Sequence, residues 1–353
     1  MSKRQTTRRL LLAIVLVISS LLLFTPRFWA RLTLPAYMVD IPELAEKAPL
    51  IFRGHVLAVI PPISDSEPNN ISIAAIEVDR WYRGSGPTQE TLQFSFNKFV
   101  NDGHDCINFS PYTYWLIFAH EESGRLQLVD DCTGALTISP LLGRKLKTVD
   151  WLAQMEADFL AGLHDRDPAA RIASIQRLGG LKLPSSRAAL HAVIEKGGEA
   201  ESKWAVYAAL RTGDISVLSR VKRLLANGDR EDPERAIALQ LESVTDPGAV
   251  PGLIGILEIA PSEFTRHNVL IALGEKLKDP RAVPILAAHL SDPDQSAQFY
   301  SLHGISNITH EDACSSPSAG KEESLELHVS HCKLWWEQSG KFKNWTDQRP
   351  LSN

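Results

Sequence analysis

Five residues near the carboxyl end, His310, Cys314, His328, His331 and Cys332, bring imidazoles and thiols within twenty-three residues of one another. Thiolates and neutral imidazoles are zinc ligands, and four of them complete a tetrahedral site. The spacing H-x3-C…H-x2-H-C follows no zinc-finger pattern, and adjacent His331 and Cys332 are awkward as two ligands of one ion. The thiols can instead be half-cystines. The chain has four cysteines, Cys106, Cys132, Cys314 and Cys332, so three connectivities are open. Sequence locality favours Cys106 with Cys132 and Cys314 with Cys332, each closing a loop worth about 3 kcal/mol of chain entropy. The expectation is therefore disulfides, with zinc at the carboxyl-terminal cluster as the alternative.

Other chemistry is sparse. No G-x-S-x-G, H-E-x-x-H, phosphate-binding loop or dinucleotide glycine fingerprint occurs, and Gly84-Ser85-Gly86 lacks the third glycine. Asp130-Asp131 beside Cys132 is expected as a solvated acidic turn. Asn70, Asn108, Asn307 and Asn344 begin N-x-[ST] sequons, which matter only where the host glycosylates. The expectation is no enzyme, no cofactor and no small-molecule substrate. Five cations, Arg187, Lys196, Arg220, Lys222 and Arg223, gather in one stretch of an otherwise acidic body. They are candidates for contacting an acidic protein partner; the plainer alternative is a solvated helix face.

The amino terminus indicates the compartment. Leu10–Pro26 is seventeen residues without a charge, and four cations precede it. That pattern starts a segment in the cytoplasm and exports the chain beyond it. As a helix it would reach about 26 Å, just short of a hydrocarbon core. No small-x-small cleavage site comes after it, and no cysteine precedes Cys106, so residues 1–31 are expected to be an uncleaved signal anchor rather than a cleaved signal peptide or lipoprotein leader. The body is then membrane-tethered outside the cytoplasm, in the periplasm or at the cell surface, or secreted if the segment is cleaved. An even cysteine count suits such an oxidising place. Residues 1–31 carry six cations and no acid, which leaves −11 for the rest of a chain whose net charge is −5. So acidic a body lacks the footprint of a nucleic-acid binder.

Two kinds of periodicity divide the 353 residues. Over residues 40–147 the period is two. Leu50–Ile60, Ile71–Tyr82, Thr91–Phe96, Tyr112–His120 and Leu126–Val129 read as five strands, parted by Pro61-Pro62, Gly84–Pro87 and Glu121–Gly124. Five strands without a confident helix point to a small barrel or sandwich. The run Ala48–Val56, the sequence Trp81-Tyr82-Arg83-Gly84, and Cys106…Phe109…Trp115–Ala119…Gly124–Leu126…Cys132–Gly134 together resemble bacterial netrin/TIMP-like domains. The resemblance implies an OB-type barrel bridged by Cys106 and Cys132. Tyr112 stands where that family usually has a turn glycine. The family includes metalloproteinase inhibitors, which chelate zinc with a free amino-terminal cysteine. This domain starts with no cysteine, so inhibition is only an alternative.

From Thr148 the period becomes about 3.6. Trp151, Met155, Phe159 and Leu163 form the stripe of a linker helix over 148–164. Asp246–Leu253 (DPGAVPGL) then recurs thirty-three residues later as Asp279–Leu286 (DPRAVPIL). A related helix covers Ile215–Ala226. Partner helices begin near Pro168, Glu199, Asp232, Ser262 and Asp294, with Asp167-Pro168, Asp232-Pro233 and Asp292-Pro293 as start signals. One helix pair cannot cover its own apolar face, so pairs stack. The D-P-x-A-V-P-x-L element resembles short bacterial HEAT-like repeats, whose second helices line the binding face. Such repeats also occur in phycobiliprotein chromophore lyases, but an export segment and a barrel argue against that activity. Residues 165–342 are thus expected as a HEAT-like solenoid with a closed cap, in which Trp335 and Trp336 pack. The whole reads as a membrane-tethered, non-catalytic scaffold or adaptor that binds another protein.

Overall fold

The computed structural model describes residues 38–60, 71–95, 107, 109–130, 132–147, 150–229, 232–259, 262–315 and 324–345. The expected membrane segment 1–31 and Cys106 lie outside the described residues. Among the described residues, no helix is long and apolar enough to cross a membrane.

A short helix, α1 (Ile41–Lys47), opens the fold, with Asp40 accepting a hydrogen bond from the Glu43 N–H at 3.2 Å. The strands are β1 (Leu50–Ile60), β2 (Ile71–Arg83), β3 (Gln89–Ser95), β4 (Tyr114–Glu122), β5 (Arg125–Leu128) and β6 (Ala135–Thr137). They run β1-β2-β3-β5-β4, and β4 pairs back onto β1, which closes a five-stranded barrel. The β3–β5 pairing is parallel, Leu92 opposite Leu126, and the others are antiparallel. The sequence left β6 unread. It is three residues long, and it adds to the free part of the β4 edge, Leu136 opposite Leu116.

Phe52, Val56, Ile76, Leu92, Phe94, Ile117 and Ala119 fill the barrel. Ile51, Leu116, Phe118 and Leu136 point the other way, yet they are buried too, in the core of the helical region. Burial on both faces is why Trp115–Ala119 is a continuous apolar run instead of an alternating one.

The helices come next as α2 (Trp151–Gly162), α3 (Pro168–Leu181), α4 (Arg187–Lys196), α5 (Glu199–Arg211), α6 (Leu218–Leu225), α7 (Glu234–Leu241), α8 (Val250–Leu257), α9 (Glu263–Ile271), α10 (Val283–His289), α11 (Gln295–Thr309) and α12 (Leu325–Gln338). First helices α3, α5, α7, α9 and α11 stack on one another, and second helices α4, α6, α8 and α10 lie beside them. The result is a solenoid of helix pairs. Gly274, in the wide turn ending α9, permits a close approach: a Cβ there would sit 2.4 Å from the Gly304 Cα of α11.

Two of the three Asp-Pro start signals work differently from expectation. Asp167 caps α3, accepting from the Ala169 N–H at 3.0 Å. At α7 the residue before the helix is Pro233, without a side-chain cap. At α11 the cap is Asp294, and Asp292 accepts from the Asp294 N–H one step earlier. An aspartate caps wherever its carboxylate reaches a free N–H of the first turn, and the loop path decides which one does.

The helix between barrel and solenoid is a packed layer. Asp158 of α2 is buried and accepts from Arg80 Nη1 at 2.5 Å, Tyr82 Oη at 2.6 Å and the Gly143 N–H at 2.8 Å. Buried Arg53 of β1 donates to the carbonyls of Ser139, Pro140 and Leu141, the segment leading to α2. Arg177 of α3 donates to Thr137 O at 3.2 Å, and Arg211 of α5 to Val39 O at 3.0 Å. Barrel and first helix pair therefore share one core.

Candidate partner-binding surface

The second helices begin alike. Asp214, Asp246 and Asp279 each accept from the N–H two residues on, at 3.0, 2.8 and 2.9 Å, and open a 3₁₀ turn that runs into α6, α8 or α10. Asp214 precedes the related helix over Ile215–Ala226, in a copy without proline. Burial alone would raise the Asp279 carboxyl, but the Arg281 side chain and N–H bonded to it outweigh burial and hold it below the usual range. Arg281 also donates to Pro247 O at 2.8 Å, joining consecutive turns.

Outward from these helices stand mostly small residues: Ala188 and Ala192 on α4, Ser219 on α6, Pro251 and Gly255 on α8, Pro284 and Ala288 on α10, with Arg223 of α6 in the place of Ala192, Gly255 and Ala288. The helices also pack closely, since a Cβ at Gly252 would lie 2.7 Å from the Leu218 side chain. The face is a low, regular surface.

The five expected cations have different surroundings. Arg187 is bound by its own fold, donating through Nε to Thr212 Oγ1 at 3.2 Å and through Nη2 to the Thr212 carbonyl. Lys222 pairs with Glu258 across to α8 at 3.5 Å. Arg220 reaches Ser202 Oγ at 3.5 Å and lines a cleft of about 380 Å³ with Glu195, Glu199, Lys203 and Glu234. Lys196 and Arg223 are exposed. Lys196, Lys222 and Arg223 end second helices, whereas Glu199, Glu201, Glu234 and Glu263 begin first helices. Each charge complements the helix dipole at its end. The edge is mixed in sign.

The same edge carries a ladder that sequence reasoning missed. Arg171, Lys203, Arg235 and His267 stand thirty-two residues apart in successive first helices. Each reaches the next first helix: Arg171 Nη2 to Glu201 at 2.6 Å, Lys203 to Glu234 at 3.0 Å, Arg235 over the Phe264 ring at 4.4 Å, and His267 to Asp294. The Glu199 and Glu234 carboxylates bonded to Lys203 hold its ammonium above the usual lysine value. The constant spacing was the available signal, but the residue type changes from copy to copy.

At the carboxyl end Cys314 and Cys332 are joined in a disulfide, buried between a 3₁₀ turn and α12. Their sulfurs are thus bonded to each other. His310 ends α11 at a φ of +55°, His328 Nδ1 lies 2.7 Å from Ser315 O, and His331 is exposed. Among the described residues, no three of His, Cys, Asp or Glu converge as metal ligands. Trp335 and Trp336 cluster with Trp345, whose indole N–H donates to Gly340 O at 2.9 Å. Cys132 is disulfide-bonded, and its expected mate Cys106 lies outside the described residues.

Residues 220–303 match the family model of HEAT repeats. Among curated proteins, none matches the chain. Among solved structures the chain is similar to one titled "The structure of the complex of CpcE and CpcF of phycocyanin lyase from Nostoc sp. PCC7120". That match has 22% identity over 49% of this chain and 68% of that one, with a TM-score of 0.34.

Proposed function

We propose that this protein is a non-catalytic scaffold or adaptor that binds a protein partner on the second-helix face of its HEAT-repeat solenoid. The β1-β2-β3-β5-β4 ring with parallel β3–β5 has the strand order of an OB-type barrel, in keeping with the netrin/TIMP-like resemblance. In this reading the amino-terminal segment tethers the body to a membrane, with barrel and solenoid outside the cytoplasm and the disulfides formed there.

The observation that carries the reading is the common core of barrel and solenoid. A surface held rigid before binding loses little entropy on binding. The low face of Ala188, Ser219, Pro251 and Ala288 lets a partner chain approach closely. Arg223 on this face and Lys196 at its edge favour an acidic one.

The test places p-benzoylphenylalanine at Ser219, Pro251 or Ala288 of the full-length chain in its native cells. Ala169 and Ser296, exposed on first helices, serve as controls. Irradiation should join one and the same protein to all three second-helix positions and not to the controls. Adducts of equal yield at test and control positions, or none at all, would refute the reading.

A further inference from the structure

Between β6 and α2, residues 138–147 form neither helix nor strand. Their backbone is nonetheless held from both sides. Arg53 of β1 donates to the carbonyls of Ser139, Pro140 and Leu141, and Ser139 Oγ accepts from the Leu141 N–H at 3.0 Å. Asp158 takes the Gly143 N–H, and Arg80 donates to Gly143 O at 3.2 Å. Gln154 of α2 accepts from the Leu146 N–H at 2.7 Å and donates to Arg144 O at 3.2 Å. A segment clamped in this way still leaves Leu141 and Leu142 39% and 46% exposed. Arg144, Lys145 and Lys147 beside them are exposed as well. No acid occurs from residue 138 to residue 149, although the body as a whole is acidic.

We propose that residues 141–147 rest on a bilayer surface bearing acidic phospholipids, with the two leucines at the acyl boundary and the three cations on the phosphates. The proposal rests on the membrane tether of the proposed function. Three features select lipid over a protein as the occupant. Aliphatic side chains next to cations, with no acid among them, match the layering of acyl chains and phosphates at a membrane interface. A bilayer's acyl region offers no hydrogen bonds, and the carbonyls and N–H groups named above are already paired inward. An extended peptide laid alongside would need such groups free.

The third feature is position. Arg83 donates to the Ala45 and Ala48 carbonyls at the end of α1, and its guanidinium lies 4.8 Å from the ring centroid of Trp151, the first residue of α2. The segment therefore ends beside α1, the helix through which the chain enters the body. Between the expected tether and α1 stand residues 32–40, which span at most about 35 Å.

The test reconstitutes the purified full-length chain, with p-benzoylphenylalanine in place of Leu142, into vesicles of phosphatidylcholine and phosphatidylglycerol. Irradiation should attach phospholipid at position 142, read as added mass on that peptide, and not to the same probe at exposed Ser296 of α11. K145E/K147E, or vesicles of phosphatidylcholine alone, should lower the yield about tenfold. Both lysines are exposed, and unchanged thermal melting will show that the variant folds. A chain that does not float with the vesicles overturns the tether and this contact together. A chain that floats but gives no lipid adduct at position 142, or one equal to that at Ser296, overturns the contact and leaves the tether standing. A crosslink to a second copy, a yield indifferent to K145E/K147E, or a protein adduct in place of lipid in native cells also overturns it.

Discussion

Tyr112 holds a backbone φ of +66° while its side chain is 82% exposed. A side-chain Cβ in that left-handed region costs about 1–2 kcal/mol, and an exposed ring offsets little of it. The turn is kept because the Tyr112 N–H donates to Val56 O at 2.8 Å, tying the entry of β4 to β1. Tyr112→Gly should therefore raise stability by about 1 kcal/mol, less some unfolded-chain entropy, and Tm by a few degrees. Denaturant unfolding checks this, and a lower midpoint would contradict it. The sequence marks the place only through the netrin/TIMP-like resemblance, which implies a turn glycine there. What the sequence could not show was that the chain keeps the glycine-type conformation instead of changing the turn. Arg177 is the opposite case. Nothing around it in sequence announces burial, yet burial, with Arg211 nearby, pushes its guanidinium down to about 10. Its position under the barrel is a tertiary fact.

At the scale of the helix pair, the entry turns of the second helices do more than start helices. Asp279 is buried and binds Arg281 through both the N–H and the guanidinium, which reaches on to the preceding turn. Because its carboxyl is held below the usual range in the folded state, its contribution is fully present above the unfolded value near 4. It is lost as pH falls through the folded value. Asp279→Asn keeps a cap but not the charge. It should cost about 1–2 kcal/mol at pH 7, and the gap to the unaltered protein should narrow below pH 4. Urea unfolding at a series of pH values measures this; a gap constant down to pH 3 would exclude the ion pair as its source. The Asp-Pro repeats made these turns legible. The Arg171, Lys203, Arg235, His267 ladder was not, because position is constrained there while chemistry is free. Any side chain that reaches an acid or a ring on the next helix satisfies the rung.

At the scale of the molecule, Asp158 decides whether barrel and solenoid behave as one body. Its three donors come from β2 and from the Gly143 turn, while it sits on α2. Asp158→Ala would leave half-buried Tyr82 without its acceptor and Arg80 with only Gly143 O, at a cost of about 2–3 kcal/mol. The unaltered protein should melt in one cooperative transition, and the variant should melt lower, with barrel and solenoid separating into two steps. Calorimetry decides; one transition at an unshifted Tm would mean that the shared apolar core alone joins them. The helix over 148–164 was expected as a linker because its stripe of Trp151, Met155, Phe159 and Leu163 shows only one apolar side. The structure buries Asp158 as well, and no periodicity distinguishes a buried aspartate from a solvated one.

From the sequence alone came the change of period near Thr148, the five barrel strands, the stacking unit and its length. All of these depend on neighbours close in the chain, where periodicity and turn residues act directly. The tertiary structure alone decided ring closure through β1 and β4, the barrel's burial against the first helix pair, and the surroundings of the five cations. Each depends on which distant groups come within hydrogen-bonding or ionic reach. A lysine or arginine looks the same in sequence whether it faces water, a carbonyl or a carboxylate.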